Sequence, residues 1–303
     1  MKTPSVLFGP MKIPFLLLTP VCVLVGAATA FYVQGTLRID WLLLALAGGL
    51  LAHISVNAIN EYEDFWSGLD LQTTPTPFSG GSGALPAQPD KTHWAAIVGW
   101  GTLVLTLLVG AYFLRARGLG LLWVGVPGVL AVAFYTRWVT HSPLLCLVAP
   151  GLGFGPFMVM GVDFVLTGSY GLTAFAASLA PFFLVNNLLL INQIPDLGPD
   201  AAVGRRHLMI VYGKHTGVAF YGLFMACTYL SVVAAWALGL LPAPALLALA
   251  TAPLAARTAL GLERNRDAAL EHLIPYLTKN VIVVLTTPVL LAIGIIVARL
   301  LGV

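Results

Sequence analysis

The chain has 303 residues, of which 59% are apolar and only 9% are charged, whereas a soluble globular domain carries roughly 25% charged residues. With a mean hydropathy of +0.92 and long continuous apolar runs, the composition excludes a soluble enzyme, a disordered chain, a disulfide scaffold and a transmembrane β-barrel. The net charge of +3 is too small to indicate nucleic-acid binding, and the three cysteines lack metal-ligand spacing.

Nine apolar runs approach or exceed the ~20 residues that a helix needs to cross the hydrocarbon layer. They cover residues 12–34, 40–60, 93–115, 119–138, 142–162, 170–191, 214–238, 242–260 and 277–301. The first run also has the basic start and small residues of a secretory signal, but its length and Pro20 favour a span. The sequence therefore predicts an all-α, polytopic membrane protein with one domain over residues 1–303.

The charged residues gather on one side of these spans. If nine helices alternate, 11 of the 15 Lys and Arg residues lie on the side of the N-terminus and 4 on the other. Because basic residues are enriched in cytoplasmic loops, we expect the N-terminus and this face to be cytoplasmic. Ten of the 12 acidic residues fall on the same face.

The first acidic cluster ends the second span, with polar residues spaced by three and four. It comprises His53, Asn57, Asn60, Glu61 and Asp64, followed by Asp70 beyond Gly68. This spacing places the side chains on one stripe of a helix, and polar groups at such depth usually face a wet cavity or each other. We interpret the stripe as functional and His53, by itself, as a packing residue.

The second cluster ends the sixth span and comprises Asn192, Gln193, Asp196 and Asp200. Asn192, Asp196 and Asp200 are four residues apart, which predicts a second helical stripe, with the helix bent or ended nearby by Pro195 and Pro199. The basic residues Arg205, Arg206 and Lys214 follow. Mg²⁺ prefers oxygen ligands and keeps positions for water and phosphate, and arginine binds phosphate. The two clusters thus predict a metal–diphosphate site that opens into an apolar cavity.

At these clusters the chain resembles the UbiA superfamily of intramembrane aromatic prenyltransferases. The resemblance lies in NAINEYEDFWSGLD (57–70), NQIPDLGPD (192–200) and VGRRHLMIVYG (203–213). It implies nine helices around a central cavity, Mg²⁺ as cofactor, and a polyprenyl diphosphate and an aromatic acceptor as substrates. It also implies a multi-pass protein of a prokaryotic inner or cell membrane.

Three features are similar to the branch that contains 1,4-dihydroxy-2-naphthoate prenyltransferases of menaquinone synthesis. They are the position of Asp70 after Gly68, PFSGGSGALP (77–86) and GFGPFMVMG (153–161). Two departures leave the acceptor open, with 4-hydroxybenzoate or another aromatic or lipid as alternatives. Glu61 stands where many relatives have Asp, and FYTRWVTHSPLLCLVAPG (134–151) lacks the double proline and Leu-Gly-Glu that are usual there.

The resemblance also implies roles for individual residues. Asp64, Asp196 and Asn60 are the expected catalytic residues. The expected metal ligands are Asp64, Asp70, Glu61, Asp196 and Asp200. The expected diphosphate partners are Arg205, Arg206, Arg137, Lys214 and Asn192. For Arg137 and Lys214 a role as positive-inside anchors is an equal alternative. Aromatic candidates for stabilising a prenyl cation are Tyr62, Phe65, Tyr135 and Phe154, and His141 or His207 could move a proton.

Residues 65–92 form the longest polar connection and are interpreted as a cytoplasmic loop and possible lid. Its GGSG segment (80–83) lacks the Gly-Lys-Ser/Thr ending of a phosphate-binding P-loop.

A membrane transporter is the alternative of another class, because intramembrane acids also mark ion pathways. The acids cluster at one face rather than at the midplane, which favours the enzyme. An inactive lipid-binding scaffold would be expected to lose the motif carboxylates, which are present.

Overall fold

The computed structural model describes residues 5–73, 76 and 80–303, and within these ranges the chain is helical with no strand. Nine principal helices follow one another. They are α1 (Ile13–Gln34), α2 (Ile39–Trp66), α3 (His93–Arg117), α4 (Leu119–Phe134), α5 (Pro143–Thr167), α6 (Leu172–Asn192), α7 (Lys214–Ala237), α8 (Ala243–Arg264) and α9 (Leu270–Leu301). Short helices lie in the connections at Ala84–Ala87, Leu197–Ala202 and Leu208–Tyr212.

The helical membrane fold predicted from the sequence is confirmed. In the described part of the chain, eight helices are long and apolar enough to cross a membrane, and α4 is a shorter apolar helix. The fourth span ends at Phe134 rather than at residue 138, because the chain turns there. In this turn the Trp138 amide donates to the Phe134 carbonyl, and Asn60 of α2 donates to the Thr136 hydroxyl.

α5 begins with two residues suited to a helix start. The hydroxyl of Ser142 accepts a 3.5 Å hydrogen bond from the Leu145 amide, and Pro143 fills the first helical position, where no amide donor is needed. The middle of α5, Gly153–Met160, is a π-helix that contains Pro156. Such wide turns often occur at functional sites, and this one lies against the cavity described below.

α6 lies at the centre of the bundle and packs against α1, α5, α7 and α9. Buried polar side chains join three of these helices. Asn187 of α6 donates to the Tyr221 carbonyl of α7 at 3.0 Å, and the Tyr221 hydroxyl donates to Asn280 Oδ1 of α9 at 2.9 Å. Hydrogen bonds of this kind help to hold helices together in lipid, where hydrophobic burial drives association weakly.

α2 and α3 approach each other closely at a glycine. The Ser55 hydroxyl of α2 donates to the Gly99 carbonyl of α3 at 2.8 Å. A Cβ atom on Gly99 would lie 2.7 Å from Ile59 Cγ1, so only glycine fits here without movement. This contact fixes the helix that carries the first acidic motif.

A cavity of about 1230 Å³ lies between α1, α2, α3, α4, α5 and the end of α6. Its polar end contains both acidic motifs, and its other end is formed by apolar residues such as Phe113, Leu121 and Val165. Along α2 the lining extends from Asp64 to Ala45, which corresponds to about 28 Å at 1.5 Å per residue. The cavity is therefore long and mostly apolar, with charge at one end only.

Part of the connection between α2 and α3 covers the polar end of the cavity. Gly80, Gly81 and Ser82 line it, and the chain then forms the helix Ala84–Ala87 and the turn Pro89–Lys91. The first three residues of the PFSGGSGALP motif (77–79), residues 74–75 of the expected lid, and residues 1–4 lie outside the described residues.

Candidate active site

The polar end of the cavity collects side chains from segments that are far apart in the chain. Its polar and charged lining residues include Lys12, Asn57, Asn60, Asp64, Asp70, Asn192, Gln193, Asp196, Asp200, Arg205 and His207. The two acidic clusters identified in the sequence therefore meet at one end of one cavity. Four motif carboxylates line it: Asp64, Asp70, Asp196 and Asp200.

Arg205 joins the two acidic motifs. Its guanidinium donates to Asp64 Oδ1 of the first motif and, at 2.8 Å, to Asp200 Oδ1 of the second. The side chains of Asp64 and Asp200 are 10% and 4% exposed, so both ion pairs are shielded from water. The Arg205 amide also donates to the Asp200 carbonyl at 3.0 Å, which fixes the start of this side chain.

The two carboxylates that Arg205 contacts stabilise its protonated, positively charged form. Burial alone would lower the pKa of the guanidinium, but the Asp64 and Asp200 carboxylates outweigh burial and raise the pKa above its usual value. On the other side of Asp200, His207 Nε2 lies 3.3 Å from Oδ2. Asp200 is thus held between an arginine and a histidine.

Asp70 is a buried carboxyl with an unused oxygen. It is 7% exposed, and its Oδ2 atom has no hydrogen-bond partner. Burial, together with the nearby Asp64 and Glu61, raises the pKa of Asp70 to about 7. A buried oxygen without a donor is costly, and a cation beside it would remove that cost.

The connection over the cavity binds both motifs through its backbone. The Gly80 amide donates to Asp196 Oδ2 at 2.9 Å, and the Ser82 amide donates to Glu61 Oε2 at 3.1 Å. The Ser82 hydroxyl also donates to Glu61 Oε1. Glu61 is 1% exposed and does not line the cavity, so the structure places this expected metal ligand against the loop instead.

Lys12 lines the cavity, and the sequence did not point to it as a site residue. It was counted only among the basic residues that indicate membrane orientation. Its Nζ atom donates to Asn60 Oδ1 at 3.3 Å, and Asn57 donates to the preceding carbonyl of Met11 at 3.0 Å. Lys12 is the sole non-glycine with positive φ (49°) among the described residues. Such a conformation costs of order 1–3 kcal/mol and is concentrated at functional sites. The polar stripe of α2 was the available signal, since Asn57 and Asn60 both form hydrogen bonds with this segment.

Three of the expected diphosphate partners lie away from the cavity. Arg137 and Arg206 are exposed, Lys214 is half-buried, and none of them lines it. The Arg206 amide donates to the Thr140 carbonyl, while the next residue toward the N-terminus, Arg205, points to the acids. Neighbouring residues in this extended stretch face different ways, which the sequence alone did not resolve.

The second motif does not lie on one continuous helix, because the helix ends within the motif, one of the two effects expected of Pro195 and Pro199. α6 ends at Asn192, a single 3-10 turn follows at Ile194–Asp196, and Asp196 has φ −101° and ψ 7°. Pro195 lacks the amide that a continuing α-helix would use. Asn192, Gln193, Asp196 and Asp200 nevertheless all line the cavity. Asn192 Oδ1 and Gln193 Oε1 are buried without a hydrogen-bond partner.

The aromatic candidates divide into two pairs. Tyr135 and Phe154 line the cavity, and burial raises the pKa of the Tyr135 hydroxyl far above its ordinary value. Tyr62 and Phe65 pack instead against a small core formed by Val6, Ala84, Leu85 and Ala95.

The two histidines named for proton transfer and His53 also have distinct surroundings. His207 lines the cavity, whereas His141 is exposed and outside it. His53 accepts or donates a 2.9 Å hydrogen bond with the Thr19 hydroxyl, and its ring meets Phe154 edge to face. His53 also lines the cavity, so these contacts leave its expected packing role a prediction.

The donor set suits Mg²⁺ better than a softer metal. No three His, Cys, Asp or Glu side chains in the described ranges are grouped closely enough to hold a metal by themselves. Mg²⁺ usually takes only one or two protein carboxylates and keeps its other positions for water and substrate phosphates. The orphaned Asp70 Oδ2 and the carboxylates of Asp64, Asp196 and Asp200 match that requirement.

A family model now decides the class of protein. The model of the UbiA prenyltransferase family matches residues 19–273, a stretch that includes both acidic motifs. The chain belongs to the UbiA prenyltransferase family. It is accordingly an enzyme that transfers prenyl groups, rather than a transporter.

Two curated proteins are similar to this UbiA family member over 70% of its length. The 1,4-dihydroxy-2-naphthoate octaprenyltransferase of Bacillus subtilis is 28% identical over 216 residues, which are 67% of its own chain. The UbiA prenyltransferase domain-containing protein 1 of Danio rerio is 26% identical over 218 residues, 62% of its chain.

Solved structures show the same fold at lower identity. A UbiA homologue from Archaeoglobus fulgidus bound to DMAPP and Mg²⁺ aligns with 95% of this chain and 99% of its own, with a TM-score of 0.60 and 13% identity. A digeranylgeranylglyceryl phosphate synthase aligns with 94% of this chain and 99% of its own, with a TM-score of 0.59 and 15% identity. The helix arrangement around the cavity is therefore that of the UbiA family.

Proposed function

We propose that this UbiA family member is a Mg²⁺-dependent prenyltransferase that transfers a polyprenyl group to 1,4-dihydroxy-2-naphthoate in quinone synthesis. The observation that carries the proposal is the meeting of two carboxylate motifs at the charged end of a long apolar cavity. The named activity of the Bacillus subtilis relative and the position of Asp70 after Gly68 support this acceptor. Another aromatic acceptor, such as 4-hydroxybenzoate, is the alternative.

Two pairs of carboxylates would hold the metal. Asp64 and Asp70 would bind one Mg²⁺, and Asp196 and Asp200 a second, with Asn60 and Asn192 beside them. Bound Mg²⁺ supplies positive charge that stabilises the diphosphate oxygens as the allylic C–O bond breaks. Mg²⁺ bound to the Archaeoglobus fulgidus homologue supports the choice of ion.

Two cations at the same end would bind the diphosphate. Arg205 presents a planar fork that suits phosphate oxygens as well as carboxylates. Lys12 lines the cavity, and its ammonium donates to Asn60 Oδ1 at 3.3 Å, while the Asn60 amide nitrogen donates to the Thr136 hydroxyl. Arg137, Arg206 and Lys214, which lie off the cavity, are not part of this proposed set.

The apolar length of the cavity would hold the prenyl tail and exclude water from the reacting carbon. Loss of the diphosphate leaves cation-like character at the first prenyl carbon, which water would otherwise quench. The rings of Tyr135 and Phe154 line the cavity and could stabilise this charge through their faces. The electron-rich acceptor ring then forms the new C–C bond. With dihydroxynaphthoate, the new bond forms at the ring carbon that carries the carboxylate. The bond from that carbon to the carboxylate then breaks, CO₂ leaves, and the electron pair of the broken bond restores the aromatic ring.

The cellular location, the membrane orientation and a lid over the cavity are also proposed. We place the chain in the cell membrane of a prokaryote, as one domain over residues 1–303, with the N-terminus and the charged end of the cavity on the cytoplasmic face. The bias of Lys and Arg supports that orientation. Residues 65–92 would act as a lid, supported by the bonds of Gly80 and Ser82 to the two motifs.

The test is transfer by purified protein in nanodiscs, with radiolabelled prenyl diphosphate and Mg²⁺. Dihydroxynaphthoate and 4-hydroxybenzoate are supplied separately, each with an EDTA control. We expect a prenylated naphthoquinol that disappears with EDTA. A prenylated benzoate alone would overturn the acceptor assignment, and a metal-independent product would overturn the metal site.

A further inference from the structure

We propose that Arg205 occupies the position of a metal cation between the two motifs in the substrate-free enzyme, so that Mg²⁺ binds tightly only together with the diphosphate. The inference rests on the proposed function and concerns the order in which its ligands bind. It makes Arg205 a positioning residue as well as a diphosphate ligand.

The contacts of Arg205 are those of an internal counter-ion. One guanidinium nitrogen bonds Asp64 of α2, and another bonds Asp200 after α6, so a single cation pairs with one carboxylate of each motif. The Arg205 side chain is 14% exposed, which keeps these bonds out of bulk water. Charge-assisted bonds of arginine to two carboxylates are among the stronger interactions in proteins. A metal that enters alone must compete with them.

The formal charges at this end of the cavity favour joint binding. Four aspartates and two cations, Arg205 and Lys12, line it, which leaves an excess of two negative charges. A diphosphate ester adds roughly three negative charges near neutral pH, and two Mg²⁺ ions add four positive ones. The diphosphate alone would raise the negative excess to about five, whereas the diphosphate with two Mg²⁺ ions leaves an excess of about one, so the diphosphate is expected to bind together with the metal.

The diphosphate gives Arg205 a second set of partners. Guanidinium geometry matches phosphate oxygens as well as carboxylate oxygens, so Arg205 can exchange Asp64 and Asp200 for the arriving diphosphate. The carboxylates released in this exchange become available to the metal. Gly204, directly before Arg205, has φ +83° and open space around it, so the chain can adjust there.

Arg206 provides a matched control in the next position. It has the same side chain and the same net charge, but it is exposed and does not line the cavity. A long-range effect of one positive charge on metal affinity would be similar for both arginines. An effect that requires contact with Asp64 and Asp200 is expected only for Arg205.

The experiment measures Mn²⁺ binding by electron paramagnetic resonance in detergent-solubilised wild type, R205M, R205K and R206M, without any prenyl substrate. We expect R205M to bind Mn²⁺ about ten-fold more tightly than wild type or better, and R206M to bind like wild type. R205K keeps the charge but loses the guanidinium fork, so its Mn²⁺ affinity should lie between those of wild type and R205M. Equal Mn²⁺ affinity in wild type and R205M, or an equal gain in R206M, would overturn the inference.

A second arm adds inorganic pyrophosphate, with protein-free samples as the reference for Mn²⁺ bound in solution. Wild type should then bind Mn²⁺ tightly, and most of the advantage of R205M should disappear. If pyrophosphate brings no Mn²⁺ to wild type or to R205M, the metal–diphosphate site itself is absent, and both this inference and the proposed function fail. If pyrophosphate acts as expected but R205M shows no gain by itself, only the inference fails.

Discussion

The backbone amide of Gly80 donates a 2.9 Å hydrogen bond to Asp196 Oδ2, which ties the connection after α2 to the second acidic motif. Two residues later, Ser82 binds Glu61 of the first motif. The same short stretch therefore contacts both motifs. Closure of this connection and assembly of the metal site are expected to be coupled.

Gly81, between those two contacts, tests how closely the connection must fit. A Cβ atom at this position would lie 2.5 Å from Asp70 Oδ2, too close for either group to stay in place. We expect G81A to reduce kcat/KM by about ten-fold or more, with a raised Mg²⁺ requirement, because Asp70 is displaced. The measurement is the initial transfer rate as a function of Mg²⁺ concentration.

Gly101 of α3 is the control for this change, since a Cβ there meets nothing within 4 Å and the residue is outside the cavity. G101A should keep the rate and the Mg²⁺ requirement of wild type. A normal Mg²⁺ requirement in G81A would show that the connection accommodates the added methyl group without displacing Asp70.

Asp70 should make the stability of the metal-free protein depend on pH. In the folded protein the pKa of Asp70 is raised to about 7 from its ordinary value near 4, chiefly by burial. The folded state thus binds this proton more tightly than the unfolded state, so stability is lost as the pH rises from about 4 through about 7. We expect D70N, which carries no charge to bury, to have a higher Tm than wild type at pH 8, with a smaller difference at pH 5.

Thermal unfolding of both proteins in detergent with EDTA gives these values. The exposed Asp90 provides the comparison, because D90N should show the same pH dependence as wild type. D70N should also lose most of its transfer activity, since the proposed metal ligand is gone. A Tm difference that does not change with pH would count against the buried-charge explanation.

Lys12 should act on the diphosphate substrate rather than on the fold. K12M keeps much of the side chain but removes the ammonium that reaches Asn60. We expect kcat/KM for the prenyl diphosphate to fall by about ten-fold to a hundred-fold, corresponding to roughly 1.4–2.7 kcal/mol of lost transition-state stabilisation. Steady-state kinetics with varied prenyl diphosphate measure this loss.

K91M is the matched variant, because Lys91 is exposed in the connection and lies off the cavity. It should retain wild-type kinetics. If K12M and K91M behave alike, Lys12 does not bind the diphosphate and contributes only to membrane orientation, the role that the sequence indicated.

Gly110 of α3 should influence the length of prenyl tail that the cavity accepts. It lines the apolar part of the cavity, and a Cβ there meets nothing within 4 Å. A leucine at this position would fill space along the path proposed for the tail. We expect G110L to lose about ten-fold in kcat/KM with an octaprenyl donor while keeping most of its activity with a geranyl donor.

Competition between the two donors in one reaction gives the ratio directly. G101L places the same side chain on the same helix away from the cavity and should leave the ratio unchanged. An unchanged ratio in G110L as well would mean that the tail follows another path.

The sequence by itself determined the membrane class and most of the helix boundaries, because the length of an apolar run and its hydropathy are local properties. It also located both acidic motifs, since the spacing of Asn60, Asp64, Asp196 and Asp200 is visible in a few consecutive residues. The local structure of the second motif was less predictable, because Pro195 and Pro199 break the helix that its spacing suggested.

Only the tertiary structure decided which charges belong to the site. Lys12 and Asp64 each lie more than a hundred residues of chain from Arg205, and their meeting depends on how α1, α2 and the segment after α6 pack. Composition could not distinguish Arg205 from Arg206, since adjacent residues face different ways once the backbone is placed. Contacts such as these depend on helix packing and chain direction, and no short stretch of sequence contains that information.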